Sequence, residues 1–379
     1  MSIKAQAGFS ESSLNITRLG LAGPETDIEL TGSVKNFLAP QFAIAITGKS
    51  LNIDKTLILP SGTSAEAAPL GLPWIENAHA EAGAADVNPM LAFVKNPLFS
   101  GATGSLSAQV AKMVAYGAAL EQLNLKAQLQ AMQLRVSELN FKTFGGTLKG
   151  NADLDLKSHG LGYKSQGSLL SVSARDAFAT YFPKYKNTIE GKVDGNWNVT
   201  GSLFPSLQRM RSLRGTAKIL ARDGTLKTVD VQETINGTLG KVPFLKGKQV
   251  KIEEGFKSFT ADLKFENGVV RADPFEMQPR GKGVVLKGKT TIQENLNQET
   301  FLDVYDPQRI LPQELHSGGK PLLPLHITGA LSSPQIDYSY TLQRVASTAG
   351  VNVLKDQALK ALGVQTTPGD RKSTRLNSS

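Results

Sequence analysis

The chain has 379 residues, 40% of them hydrophobic and 20% charged, with 36 Gly, 18 Pro and a formal net charge of +9. This composition belongs to a globular protein long enough for two or three structural units. The absence of Cys excludes disulfides, thiolate nucleophiles, iron–sulfur clusters and Cys-ligated zinc. Four scattered His leave little for a histidine metal site, and no run of about 18 apolar residues offers a membrane-spanning helix. The positive charge raises an acidic partner, nucleic acid or anionic lipid, and its placement along the chain decides that question.

Residues 1–8 lack the basic and apolar regions of a signal peptide, so the chain is either cytoplasmic or starts downstream of its true N-terminus. Alternation of apolar and polar residues predicts strands over 14–21, 27–34 and 42–48. Residues 61–88, rich in Ala with Pro and Gly, read as a linker or mobile loop. The spacing of Val110, Val114 and Leu120 predicts a helix over 106–122, and alternation resumes over 123–131. Residues 147–157 place Leu148, Ala152, Leu154 and Leu156 opposite Lys149, Asn151, Asp153, Asp155 and Lys157. The cleanest run is 188–200, where Ile189, Val193, Trp197 and Val199 share one side and no position breaks the pattern. Residues 258–266 repeat it with Phe259, Ala261, Leu263 and Phe265, and weaker versions follow at 283–292 and 324–328. Gly145-Gly146, Asp223-Gly224 and Asn267-Gly268 read as turns between strands. Short helices are predicted over 173–181 and 229–239, and a longer amphipathic one over 340–362. Long strands in series, one face apolar and one solvated, predict a mainly β fold built on an extended, curved antiparallel sheet.

The motifs with chemical meaning each have a plainer reading. Residues 283–290 satisfy the phosphate-loop expression G-x-x-x-x-G-K-[ST] letter for letter. Val284, Val285 and Leu286 in its middle favour a strand, however, and no helical stripe follows to face a phosphate. Asp153 and Asp155 lie on the polar side of an alternating strand beside Lys149 and Lys157, which fits a solvated face better than acid–base work. Lys241, Lys246, Lys248 and Lys251, then Arg280, Lys282, Lys287 and Lys289, form the densest basic stretches. They lack the interleaved aromatics of a nucleic-acid-binding sheet. These readings favour neither an enzyme nor a nucleic-acid partner, and they call for no cofactor or metal. The closing residues 370–379, Asp-Arg-Lys-Ser-Thr-Arg-Leu-Asn-Ser-Ser, read as an in-frame translation of a sequencing adapter. Without their three cations and one acid the charge falls from +9 to +7.

Several stretches carry a family likeness. Leu134-Arg135-Val136 and the segment from Leu139 to Gly150, with Phe144-Gly145-Gly146, form the first. Leu213–Ile219, Asp223-Gly224-Thr225-Leu226 and Val229-Asp230-Val231 follow, then Phe265-Glu266-Asn267-Gly268-Val269-Val270 and the closing Thr328-Gly329-Ala330-Leu331-Ser332-Ser333-Pro334. In this order and spacing they resemble the C-terminal region of the AsmA family of Gram-negative envelope proteins, and residues 14–57 look like the family's preceding segment. The resemblance implies a periplasmic, β-rich body hung from the inner membrane by an N-terminal anchor that this chain lacks, which suggests a partial sequence. It also implies kinship with bridge-like lipid-transfer proteins, whose long sheets curl into a trough that carries acyl chains. The expected division is an N-terminal β segment (1–59), a linker with a helical insertion (60–122), an AsmA-like β domain (123–339), a C-terminal helix (340–366) and a disordered tail (367–379). On this reading the function is non-enzymatic, assisting outer-membrane assembly or lipid homeostasis, with phospholipid as partner and the outer-membrane components unspecified. Leu148, Leu154, Leu156, Ile189, Val193, Trp197, Val199, Phe259, Leu263 and Phe265 are the candidate groove-lining residues. Alternation leaves open whether their face is an open groove or the packed core of a scaffold that binds no lipid.

Overall fold

The computed structural model describes residues 2–56, 100–115, 117–181, 189–204, 209–226, 231–241, 245–315, 323–331, 333–341 and 343–344. They form one long, curved, open sheet of seventeen strands. In chain order these are β1 (Ser2–Phe9), β2 (Ser13–Ala22), β3 (Asp27–Lys35), β4 (Gln41–Asn52), β5 (Thr103–Ala115), β6 (Ala118–Gln130), β7 (Gln133–Thr143), β8 (Gly146–Asp155) and β9 (Gly162–Ser173). β10 (Ile189–Ser202), β11 (Arg214–Leu226), β12 (Phe256–Glu266), β13 (Val269–Pro279), β14 (Val285–Ile292), β15 (Asn297–Tyr305), β16 (Leu323–Ala330) and β17 (Ser333–Ile336) complete it. Every strand pairs with its neighbours in sequence, antiparallel throughout except for β4 and β5, which run parallel. Among the described residues, short helices decorate the sheet at α1 (Ile53–Thr56), α2 (Ala174–Tyr181), α3 (Arg209–Ser212) and α4 (Val231–Lys241), and a further helical turn starts at Tyr338.

Local chemistry explains the hairpins. Phe144 and Gly145 both take positive φ (49° and 71°), as do Asn267 and Gly268 (53° and 77°), the geometry of two-residue turns whose twist suits the strands they join. Asp223-Gly224, expected as a third turn, lies inside β11. Asp223 has φ 49°, and the β10–β11 register jumps there from Glu190↔Thr225 to Lys192↔Arg222. The pair is a bulge, because a left-handed residue before Gly serves an extra residue in a strand as well as a reversal.

The helix expected over 106–122 is a second correction: these residues form β5 and the start of β6. Leu106, Ala108 and Val110 alternate with Ser105, Ser107 and Gln109, and β4 and β6 on either side give that alternation partners. Period two with partners outweighs the helical propensity of the Ala residues. The expected helices over 173–181 and 229–239 correspond to α2 and α4. Of the helix expected over 340–362, only its first turn, from Tyr338, is described, with Asp337 accepting the Tyr340 N–H at 3.1 Å. The rest of that helix, the 61–88 linker and the 370–379 tail lie outside the described residues.

Candidate apolar groove

Residues paired across strands point to the same face, so the register shows how far the apolar side extends. One row can be followed through all seventeen strands. It runs Ala5, Leu19, Leu30, Ile46, Ala108, Leu125, Leu139, Gly150 and Gly167. It continues through Trp197, Ala217, Leu263, Ala272, Thr290, Thr300, Ile327 and Ile336. Its two polar members, Thr290 and Thr300, satisfy each other with a hydroxyl hydrogen bond of 2.6 Å.

The opposite face is solvated and charge-paired across strands. Arg18 meets Glu29 at 2.7 Å, Lys126 meets Glu138 at 2.8 Å, Arg135 meets Asp153 at 2.9 Å and Lys287 meets Glu276 at 2.9 Å. The hydrogen bond from Lys287 holds the Glu276 carboxyl below its ordinary pKa. Asp153 is thus an ion-pair partner, and Asp155 caps a turn by accepting the Lys157 N–H at 3.0 Å. The phosphate-loop match falls on β14. Lys289 there lies over the Phe301 ring at 5.6 Å, and an added Cβ on Gly288 would meet Phe275 Cζ at 2.9 Å, so no phosphate cradle forms.

Two clusters cover part of the apolar side. At the β13–β16 end, Ile235 and Leu239 of α4, one helical turn apart, are fully buried together with Leu245 from the segment after it, and Val250 of that segment is buried beside them. They pack on Leu286, Leu302, Val304, Leu323, Leu325 and Ile327, with Leu311 and Leu315 closing the cluster. The Asn236 side chain accepts the Val250 N–H at 2.8 Å and donates to its carbonyl at 3.1 Å, which ties the helix to the segment that follows. A smaller cluster of Met132, Leu156 and Leu161, with Leu129, Leu134, Leu154 and Phe204 against it, closes the strand ends of β6–β9.

The candidate lining residues divide accordingly. Leu148, Leu154, Ile189, Val193, Trp197, Val199, Phe259, Leu263 and Phe265 share the apolar side of β8, β10 and β12, and all nine are half-buried. Leu156 is buried in the smaller cluster at the end of the floor, because β8 stops at Asp155 and the chain folds back there. Phe259 marks the border with the covered end, its ring 6.0 Å from Phe275.

Sequence reasoning missed how the aromatic rings lie. Trp197 covers two glycines on neighbouring strands: an added Cβ on Gly167 would come within 2.6 Å of its Cη2, and one on Gly150 within 3.4 Å of its Cζ2. Its Nε1 donates to Ser165 Oγ at 3.1 Å. Tyr163 lies over Gly201 and Phe275 over Gly288 in the same way, with an added Cβ 2.8 and 2.9 Å from the ring substituent or ring. The large rings therefore lie along the floor and cover bare backbone, which keeps the groove shallow and continuous. The cross-strand Gly–aromatic pairings are in the sequence, but only the register brings them together.

Among the described residues no helix is long and apolar enough to cross a membrane, and no group of His, Asp and Glu is arranged to hold a metal. No curated protein and no solved structure matches the chain. A family model described as the AsmA family matches residues 3–275, from β1 into β13, so the match spans the whole half-buried floor. With that span covered, the chain belongs to the AsmA family.

Proposed function

We propose that this chain is a non-enzymatic cell-envelope protein that supports outer-membrane assembly or lipid homeostasis by holding phospholipid acyl chains on its apolar floor. The observation that carries the reading is the apolar row running through the whole sheet, with nine large side chains half-buried on β8, β10 and β12. An apolar face of this extent favours a covering layer, and each acyl CH₂ transferred from water onto it contributes about 0.8 kcal/mol. The flat-lying Trp197 and the glycines beneath it suit linear chains rather than a shaped pocket. Membership of an envelope-associated family supports the compartment. Periplasmic residence with an inner-membrane anchor is part of the same proposal.

The second reading, a scaffold with a closed core, draws on the β13–β16 end, where the same apolar side is packed shut. Mass spectrometry of organic extracts of the purified chain separates the two. Copurifying phospholipid, with photo-crosslinking to a fatty-acyl probe that falls about tenfold in Val193→Asp, is the expected result. Lipid-free protein whose crosslinking is unchanged by Val193→Asp would establish the scaffold instead.

A further inference from the structure

Turn corners normally carry Gly, Pro, Asn, Asp or Ser. The β3–β4 turn departs from this. Ala39 N–H donates to the Asn36 carbonyl at 3.0 Å, closing a turn whose two corner residues are Phe37 and Leu38, 40% and 84% exposed. The adjacent β1–β2 turn adds Phe9, 78% exposed. The two turns are tied together, since Asn36 N–H donates to the Ser12 carbonyl at 2.7 Å. The pairings Phe9↔Leu14 and Leu14↔Val34 set all three side chains on the same strand-end rim. None of them belongs to either buried cluster, so the fold gains little from them. At the other end of these strands the β2–β3 turn, Gly23-Pro24-Glu25-Thr26, has ordinary turn chemistry, with Glu25 bound to Asn52 and Lys55.

We propose that the Phe9, Phe37 and Leu38 tip inserts into the interfacial layer of a lipid bilayer and docks this rim of the sheet on a membrane surface. Phe9 and Leu38 project from hairpin turns almost wholly exposed, with Ser10, Ser12 and Ser13 between them, as separate wedges rather than as a continuous patch for a folded partner. Glu11 and Lys35 sum to no net charge and are both exposed, and residues 36–40 carry none, so Phe37 and Leu38 can enter an apolar layer while the flanking ions stay in water. Aromatic and Leu side chains beside polar backbone suit the boundary between headgroups and acyl chains.

Flotation of the full chain with vesicles of pure phosphatidylcholine, and of phosphatidylcholine mixed with phosphatidylglycerol, tests this. The chain is expected to float with both, because the tip is neutral. Phe37→Ser with Leu38→Ser should weaken binding at least about tenfold, and Phe9→Ser should weaken it less. Leu170→Ser, which removes a side chain 59% exposed at the far end of β9, should leave binding unchanged. Circular dichroism melts establish that each variant is folded. Three results overturn the proposal: a chain that floats with neither vesicle, equal loss in Leu170→Ser, or a double variant that still floats but loses self-association on gel filtration. Phospholipid copurifying with the double variant is measured in parallel and should be unchanged, so failure of docking is distinguishable from failure of the groove reading.

Discussion

Strands β8–β12 and β13–β16 present the same alternation to the same side of one sheet, yet they are completed differently. On β15 and β16, Val304 and Leu323 are fully buried in the cluster that includes Ile235 and Leu239 of α4. On β10 and β12, Val193 and Leu263 occupy equivalent apolar positions and are half-buried. Alternation therefore specifies which face is apolar and leaves its covering to other parts of the chain. At the β13–β16 end the covering is α4 and the segment hydrogen-bonded to it through Asn236. A side chain's worth to stability should differ sharply between the two regions.

The largest expected contrast comes from one substitution made twice. Val304→Asp puts an unpaired carboxylate into a fully buried cluster and should cost more than about 4 kcal/mol, enough to unfold the chain under ordinary conditions. Val193→Asp, whose side chain can still reach water, should leave a folded protein. Denaturant titration of both decides: similar losses would mean that the floor is as closed as the covered end. The next contrast is milder. Leu239→Ala should cost about 2–5 kcal/mol and Leu263→Ala about 1 kcal/mol or less, because only the first leaves a sealed cavity. Midpoints moved equally by the two would remove the distinction.

Overpacking is smaller still and tests the floor alone. Gly167→Val must lift the Trp197 ring, at a cost of about 1–3 kcal/mol, and should redden its fluorescence as the indole leaves the backbone for water. An unchanged spectrum would show that the ring does not depend on the glycine beneath it.

The strands were readable in the sequence wherever alternation was uninterrupted, as over 188–200 and 258–266, because a half-solvated strand imposes period two on its residues. β5 reads as a helix in sequence because Ala and Ser between its apolar positions blur the period, and only its pairing with β4 and β6 decides it. Asp223-Gly224 reads as a turn in sequence because a bulge and a turn draw on the same left-handed geometry. The apolar residues of the candidate groove were legible as a set. Their division into open floor and covered end was not, because it depends on where α4 folds back, a tertiary fact without local signature. Leu156 shows this at the scale of one residue: its parity matches Leu148 and Leu154, but the strand ends just before it.

The smallest effect concerns the β13–β16 end, where Asp337 precedes the helical turn that starts at Tyr338. Its carboxylate accepts the Tyr340 N–H at 3.1 Å and lies 3.3 Å from His326 Nδ1. Those contacts, the backbone N–H first, hold its pKa below the ordinary 3.8. A carboxylate with a depressed folded-state pKa stabilises fully above its unfolded value, and that contribution is lost as pH falls through the folded value. Asp337→Asn should therefore melt slightly below the wild-type chain at neutral pH, and the gap should close in acid below the ordinary carboxylate value. The exposed position keeps the effect small, since water screens the charge. A gap that persists undiminished into acid would assign the loss to the side-chain amide's geometry rather than to the missing charge.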